Sequence, residues 1–411
     1  FLIAKAAYSL RSLGTRQATL AATGDTVARA DGKYVCQVRR ASDDTIKSFT
    51  ADEVTDGTLV SFVTESFQKT LSVQGDGEDS TWDVTVVDNS NYTIDCNNNT
   101  STKFCRLITD KINGGTKYRV DFDFTTNSGD ASNLKLNRSS PFNLQNITEG
   151  SNSIEFDFTV DTLLMFRIAS GSNVFNVTIN NLTVTAIGND GHVKTWYDQS
   201  VTNEAGDTAT GNHATQATAA SQPKIVSAGA LVTEGSLPTI EFDSVDDYLD
   251  STSDISSPLW SFITHKATKD NSAVFATKSS DRWIGRRSTG AFLQVLTSVV
   301  SGGSYPSSAV IRTDEVNGSD SKIFSNGTSI ATGDSGSAQS NFGRIGAQGQ
   351  LSSTKFLGGN IQELIVYTSD QTDNRTAIEA NIGEAYSITG IPAYDNEVDG
   401  FVETWYDQSG N

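Results

Sequence analysis

Three groups of residues in this chain have the types and spacing to do chemistry. The first is the run "TWYDQS", Thr195 to Ser200. An aromatic ring followed by an amide and a carboxylate is the equipment of a sugar platform, with Trp196 stacking and Asp198 and Gln199 reading hydroxyls. Trp260, Arg282 and Trp283 have the types to line a groove of the same kind. The alternative for "TWYDQS" is a framework strand whose Asp198 and Gln199 bind the backbone of the next turn. Core packing is the matching alternative for the tryptophans. The second group is Asp243, Asp246 and Asp247 in "EFDSVDDYL". Clustered carboxylates suit calcium, which takes six to eight oxygens, of which this run supplies some. Otherwise they bond their own turn. The third group is Cys96 and Cys105, which flank "NNNTSTKF". A disulfide across that loop and two thiols on paired strands are both open.

Other chemistry is poorly supported. Cys36 completes a set of three cysteines without a C-x-x-C, and His192, His213 and His265 are dispersed, so no zinc spacing exists. No G-x-S-x-G, Walker loop or H-E-x-x-H occurs, and the spacing does not support a triad of His213, Asp198 and a serine. A net charge of −19 repels phosphate backbones and excludes nucleic acid as a partner. No apolar run is long enough to form a membrane span. The opening "FLIAKAAYSL" is too short for a secretory signal and lacks its basic start.

The elements that must position these residues are mostly strands. Aromatic residues are 9% and charged residues 19% of the chain, and Ser, Thr, Asn, Asp and Gly abound, which suggests short strands joined by polar turns. "AKAAYSLRSL", Ala4 to Leu13, reads as a short helix, and "KYVCQVRR", Lys33 to Arg40, as a half-buried strand. "TDGTLVSFVTESF" has a helical pattern. From Thr70 to Gly188 runs such as "YRVDFDFTT" and "NVFNVTINNLTVTAI" alternate as strands, enough for a β-sandwich. Strands resume after Gly191, with "FSNGTSI" a hairpin turning at Asn326-Gly327. "SDQTDNRTAIEANIGEAYSI" is a helix with Asp373 or Asn374 as cap.

"LPTIEFDSVDDYLD" and "GNIQELIVYTSDQTDNRTAIEANIGEAYSI" resemble the laminin-G-like, concanavalin-like jelly rolls. "AAYSLRSL", "QVRRASDDT", "TWYDQS" and "GNHATQATAASQPKIV", in that order, are similar to the catalytic framework of α-L-arabinofuranosidases of that kind, a framework also common in modular structural proteins of tailed bacteriophages. The resemblance implies an all-β fold: a concanavalin-like jelly roll from residues 1–69 and 189–390, with a few short helices. The β-rich residues 70–188 interrupt it as an inserted β-sandwich of carbohydrate-binding-module type. Residues 391–411 form a linker and the first strand of a further module. That last expectation rests on a repeat: eight of ten positions from Gly400 match those from Gly191, which points to a polypeptide continuing past Asn411.

The family's chemistry needs two carboxylates, a nucleophile and an acid/base. Their strands fall near "RWIGRRSTGAFLQ" and "RIGAQGQ", where Arg286, Arg287, Thr289, Gln348 and Gln350 stand in place of acids. No catalytic residue is therefore assigned. The expectation is a non-enzymatic virion structural and adhesion protein, such as a phage fibre, tail or capsid decoration protein at an extracellular or virion surface. Its partners would be host surface glycans, other virion subunits or copies of itself. The alternative is a secreted carbohydrate-active enzyme or its binding module.

Overall fold

Alternation of apolar and polar residues becomes paired strands along most of the chain. The computed structural model describes residues 4–13, 34–64, 74–75, 82–88, 90–96, 104–106, 116–138, 143–158, 164–168, 174–187, 189–200, 211–336, 340–351 and 355–392. The protein is an all-β sandwich fold with large antiparallel sheets and a few short helices. The chain divides into two compact units, residues 8–252 and residues 1–7 with 253–411.

In the unit built mainly from residues 253–411, strand Leu259–Ala267 pairs with Val310–Val316 on one side and Gly358–Tyr367 on the other. Val310–Val316 continues to Ser321–Ser325 and Thr328–Gly333. A second antiparallel run joins Asn341–Ile345, Ser272–Thr277, Trp283–Arg286, Phe292–Val295 and Val299–Gly302. Phe292 and Val300 from the second run pack against Val310 and Ile323 from the first. The expected hairpin forms: Asn326 and Gly327 adopt φ of 46° and 78°, the left-handed pair that its tight turn requires. The expected helix runs from Arg375 to Tyr386, with Asn374 at its N-cap but without a side-chain capping bond. It lies on Val310–Val316, where Glu379 accepts a bond from Thr313 Oγ1 at 2.7 Å.

In the unit of residues 8–252, strand Tyr34–Arg40 pairs with Ile46–Thr50 and Gly191–Trp196. A capping box on Thr50 and Glu53 starts helix Ala51–Thr55, and the expected helix in "TDGTLVSFVTESF" spans Thr58–Thr64. Among the described residues, the strands between Gln74 and Ile187 form two five-stranded sheets. One holds Gln74–Gly75, Phe104–Arg106, Leu134–Arg138, Asn143–Asn146 and Leu164–Ile168. The other holds Trp82–Asp88, Asn91–Cys96, Thr116–Gly129, Gly150–Phe158 and Phe175–Ile187. Their inner faces share one core, in which Phe122 meets Phe166 edge-on at 5.4 Å.

Two sequence expectations change. Ala6–Ser9 is a strand and not part of a helix, with all four residues buried. A helix would enclose one face only, and it would occupy the backbone carbonyls of Ser9 and Arg11, which instead accept bonds from Gln199. Cys96 is buried, and the Cys105 side chain lies outside the described residues. The strand carrying Cys96 pairs with Trp82–Asp88 and Phe175–Ile187, whereas Cys105 lies on a strand of the opposite sheet, so the expected placement on paired strands is not found. The repeat at residues 400–409 and the expected further module lie outside the described residues.

Candidate functional site

The "TWYDQS" residues are pulled apart by their partners. Trp196 is 0% exposed, with Tyr8 packed against it at 5.7 Å between ring centroids, so no ring face is open to a sugar. The Asp198 carboxylate accepts the backbone N–H groups of Ser200 at 2.9 Å and Asn212 at 3.0 Å. Its own N–H donates to His213 Nδ1 at 3.0 Å. Gln199 accepts from the Leu13 N–H at 3.0 Å and donates to the carbonyls of Ser9 at 2.8 Å and Arg11 at 3.1 Å. Tyr197 shares a hydrogen bond with Ser48 Oγ and sits edge-on to His213. The motif is a clasp: three side chains in a row tie the segments at residues 8–13, 48 and 211–213 to one strand.

The other proposed rings are covered as well. Trp260 is 5% exposed and lies between Phe262 and Phe324. Trp283 is 3% exposed, capped by the Lys355 ammonium at 5.2 Å. Arg282, half-buried beside it, donates to Ser340 Oγ at 3.3 Å. The sequence could not separate packing from stacking at these positions, because either role wants an aromatic residue on a strand.

Asp243, Asp246 and Asp247 do come together, with a ligand oxygen of each within 4.8 Å of the others. Asp247 is buried and accepts the Asp243 N–H at 2.9 Å, while Asp246 accepts from Ser221 Oγ at 2.9 Å. Burial, and then the charges of Asp243 and Asp246, push Asp247 up to about 7. The trio has the charge for a divalent cation and supplies part of its oxygen shell.

Two arrangements escaped the sequence. One is a fully buried charge centre. Arg312 holds Asp314 through Nε at 2.6 Å and Nη2 at 2.8 Å, both side chains 0% exposed. Arg312 also donates to the carbonyls of Gly285 and Leu293, each at 2.7 Å. Gly285 is required there, since an added Cβ would lie 2.1 Å from the Ser272 carbonyl oxygen. Burial alone would pull Arg312 down, but the Asp314 carboxylate carries its pKa up, so the guanidinium stays charged. Burial pushes Asp314 up against the pull of Arg312, whose two-point contact favours the carboxylate form.

The other is the outer face of the sheet that spans Trp82 to Ile187. Register places Thr85 beside Thr93, Thr93 beside Thr178, and Thr178 beside Thr125, a row of threonines across four strands. Next to it, Asp123 accepts from Ser151 Oγ at 2.6 Å and Asn181 Nδ2 at 2.8 Å. These bonds hold its pKa below the usual carboxylate range. Asp121 accepts from Ser153 Oγ at 2.6 Å, and Asn127 Nδ2 bridges Asn176 and Thr178, each at 2.7 Å. The signal was present in "VDFDFTT" and "NVTINNLTV": the residues between the apolar ones are hydroxyls, amides and carboxylates.

No protein-family model matches the chain, and no curated protein matches it. A solved structure from Bacteroides ovatus, described as a "putative carbohydrate binding protein", matches at 11% identity over 68% of this chain and 78% of that one, with a TM-score of 0.27. So distant a likeness assigns no function to this chain.

Proposed function

We propose that this chain is a non-enzymatic adhesion and structural protein that binds surface glycans through the outer face of the sandwich between Gln74 and Ile187. The observation that carries this reading is the threonine row flanked by Asp121, Asp123, Asn127, Asn176 and Asn181. Such groups donate and accept in turn, as sugar hydroxyls require. Bonds among them hold the side chains in place, so little rotamer freedom remains to be lost on binding. Two further points support a role without catalysis. The runs similar to the catalytic strands carry Arg286, paired to Asp270 at 2.6 Å, and the buried Gln348. The "TWYDQS" groups are engaged by backbone.

In this reading residues 70–188 are an insertion into a concanavalin-like jelly roll of residues 1–69 and 189–390. The chain belongs at an extracellular or virion surface beside copies of itself or other virion subunits, and calcium sits at Asp243, Asp246 and Asp247. A glycan array probed with purified protein tests the central point. The reading expects at least one glycan to bind, and Asp123→Ala combined with Thr178→Ala to weaken that binding about tenfold or more. Equal binding by the double variant would remove the face from the account.

A further inference from the structure

The loop between strands Val299–Gly302 and Val310–Val316 drops one residue, Tyr305, into the interior of the sandwich that carries it. The Tyr305 ring stacks on Phe292 with centroids 4.0 Å apart and planes at 12°. The Arg286 guanidinium lies over the same ring at 5.6 Å. The Tyr305 hydroxyl accepts from Arg312 Nη1 at 2.9 Å and meets His265 Nε2 at 3.1 Å. His265 Nδ1 faces the Ile263 carbonyl at 3.3 Å, so Nδ1 carries the proton and Nε2 is the acceptor. Burial, and then the Arg312 charge, hold His265 down to about 3, which keeps it neutral. The polarity is therefore fixed: Arg312 donates to the hydroxyl, and the hydroxyl donates to His265. This pair of contacts is specific for an O–H group. A carboxylate would meet the His265 lone pair without a proton to share, and an ammonium would meet the Arg312 charge.

Tyr305 differs from the walls it touches. His265, Phe292 and Arg312 are 0% exposed, whereas Tyr305 is only half-buried. Its loop contains exposed Gly303, Ser304, Ser307 and Ser308, and Gly303 adopts a φ of 62°. The backbone tie at this residue is the Tyr305 N–H to the Gly290 carbonyl, 2.9 Å. A buried ion pair is weak evidence for stability by itself. Here it aims a donor at the hydroxyl of a half-buried residue carried on a loop with exposed neighbours.

We propose that the recess formed by Phe292, His265, Arg312 and Arg286 is a binding site for a flat or chair-shaped ring bearing a hydroxyl, and that Tyr305 is its internal occupant. The ring stacks on Phe292, and its hydroxyl takes the place of the tyrosine O–H. A phenol and a neutral pyranose share this chemistry. The site stands in a different unit from the polar face proposed above and does not depend on it.

The test uses the whole chain with Tyr305→Ala, titrated calorimetrically with p-cresol, toluene and methyl glucopyranosides. The expected result is saturable binding of p-cresol or of a glucopyranoside about tenfold or more tighter than toluene, since a hydroxyl bonded to a charged donor is worth at least that factor. The preferred ligand then identifies the phenolic or the sugar source. Toluene binding as tightly as either, or no binding to a folded variant, would overturn the proposal. If Tyr305→Ala does not fold, Tyr305→Phe keeps the packing and removes the competing hydroxyl. Its affinity for p-cresol or for a methyl glucopyranoside should exceed that of the unaltered protein about tenfold, and an unchanged affinity for both would overturn the proposal equally.

Discussion

The Asp243–Asp246–Asp247 turn and the Arg312–Asp314 centre are both clusters of charge, and they are built on opposite plans. The turn gathers three like charges within five consecutive residues, with Asp243 exposed and Asp247 buried. The centre joins opposite charges with a tyrosine and a histidine drawn from positions 265 to 314, its charged pair enclosed. Clustered like charges weaken a fold unless a cation or a proton joins them. An enclosed opposite pair is costly to bury and far costlier to break. The two should therefore answer differently to mutation and to pH.

The largest contrast is in mutation. Arg312→Ala strands the Asp314 carboxylate in the interior, and the expected loss is about 3–5 kcal/mol by urea denaturation. Asp243→Asn removes one of three like charges and should cost less than about 1 kcal/mol or stabilise. Arg312→Ala behaving like Asp243→Asn would erase the contrast.

The pH responses have opposite signs. His265 is held near 3 when folded and has an ordinary value of 6.5, so the unfolded chain binds its proton first as pH falls. Stability is complete above 6.5 and declines below it, by about 2 kcal/mol at pH 5. Asp247 is raised from 3.8 to about 7, so the folded chain keeps the proton longer. Its contribution is full below about 4 and is lost as pH rises through 7, about 1 kcal/mol after solvent screening. Denaturation curves between pH 4.5 and 8 for His265→Gln and Asp247→Asn check both limbs, each variant flattening its own. Calcium added at pH 8 should restore what Asp247 loses there, if the trio binds it.

The clasp gives a smaller effect. Gln199→Ala removes three bonds to the segment at residues 9–13 and should cost about 1–2 kcal/mol. It should also speed proteolytic clipping of that segment, while Lys194→Ala on the same strand should do neither.

What the sequence showed and what it hid follow from distance along the chain. Period-two alternation gave the strands, Asn326-Gly327 gave the hairpin, and Ile378, Ile382 and Tyr386 marked the closing helix, because each signal lies within a few residues. The Asp trio was legible for the same reason. The strand at Ala6–Ser9 read as helix because its small and aliphatic residues are good helix formers and its true partners are distant. Trp196, Trp260 and Trp283 looked like platforms because a sequence gives ring identity but not which face is covered. The Arg312 centre was invisible, since His265 and Tyr305 approach it only through strand order. The threonine row was hidden in another way: each threonine fitted its own strand, and only register brings Thr85, Thr93, Thr178 and Thr125 into line.

The most direct test of glycan binding by that face compares affinities on one immobilised glycan, chosen from the array, for the unaltered protein, Asp123→Ala/Thr178→Ala and Trp196→Phe. The account predicts that the double variant binds about tenfold more weakly or worse while Trp196→Phe, altered only within the core, keeps its affinity. Unchanged binding by the double variant together with lost binding by folded Trp196→Phe would contradict it and return the site to the "TWYDQS" strand.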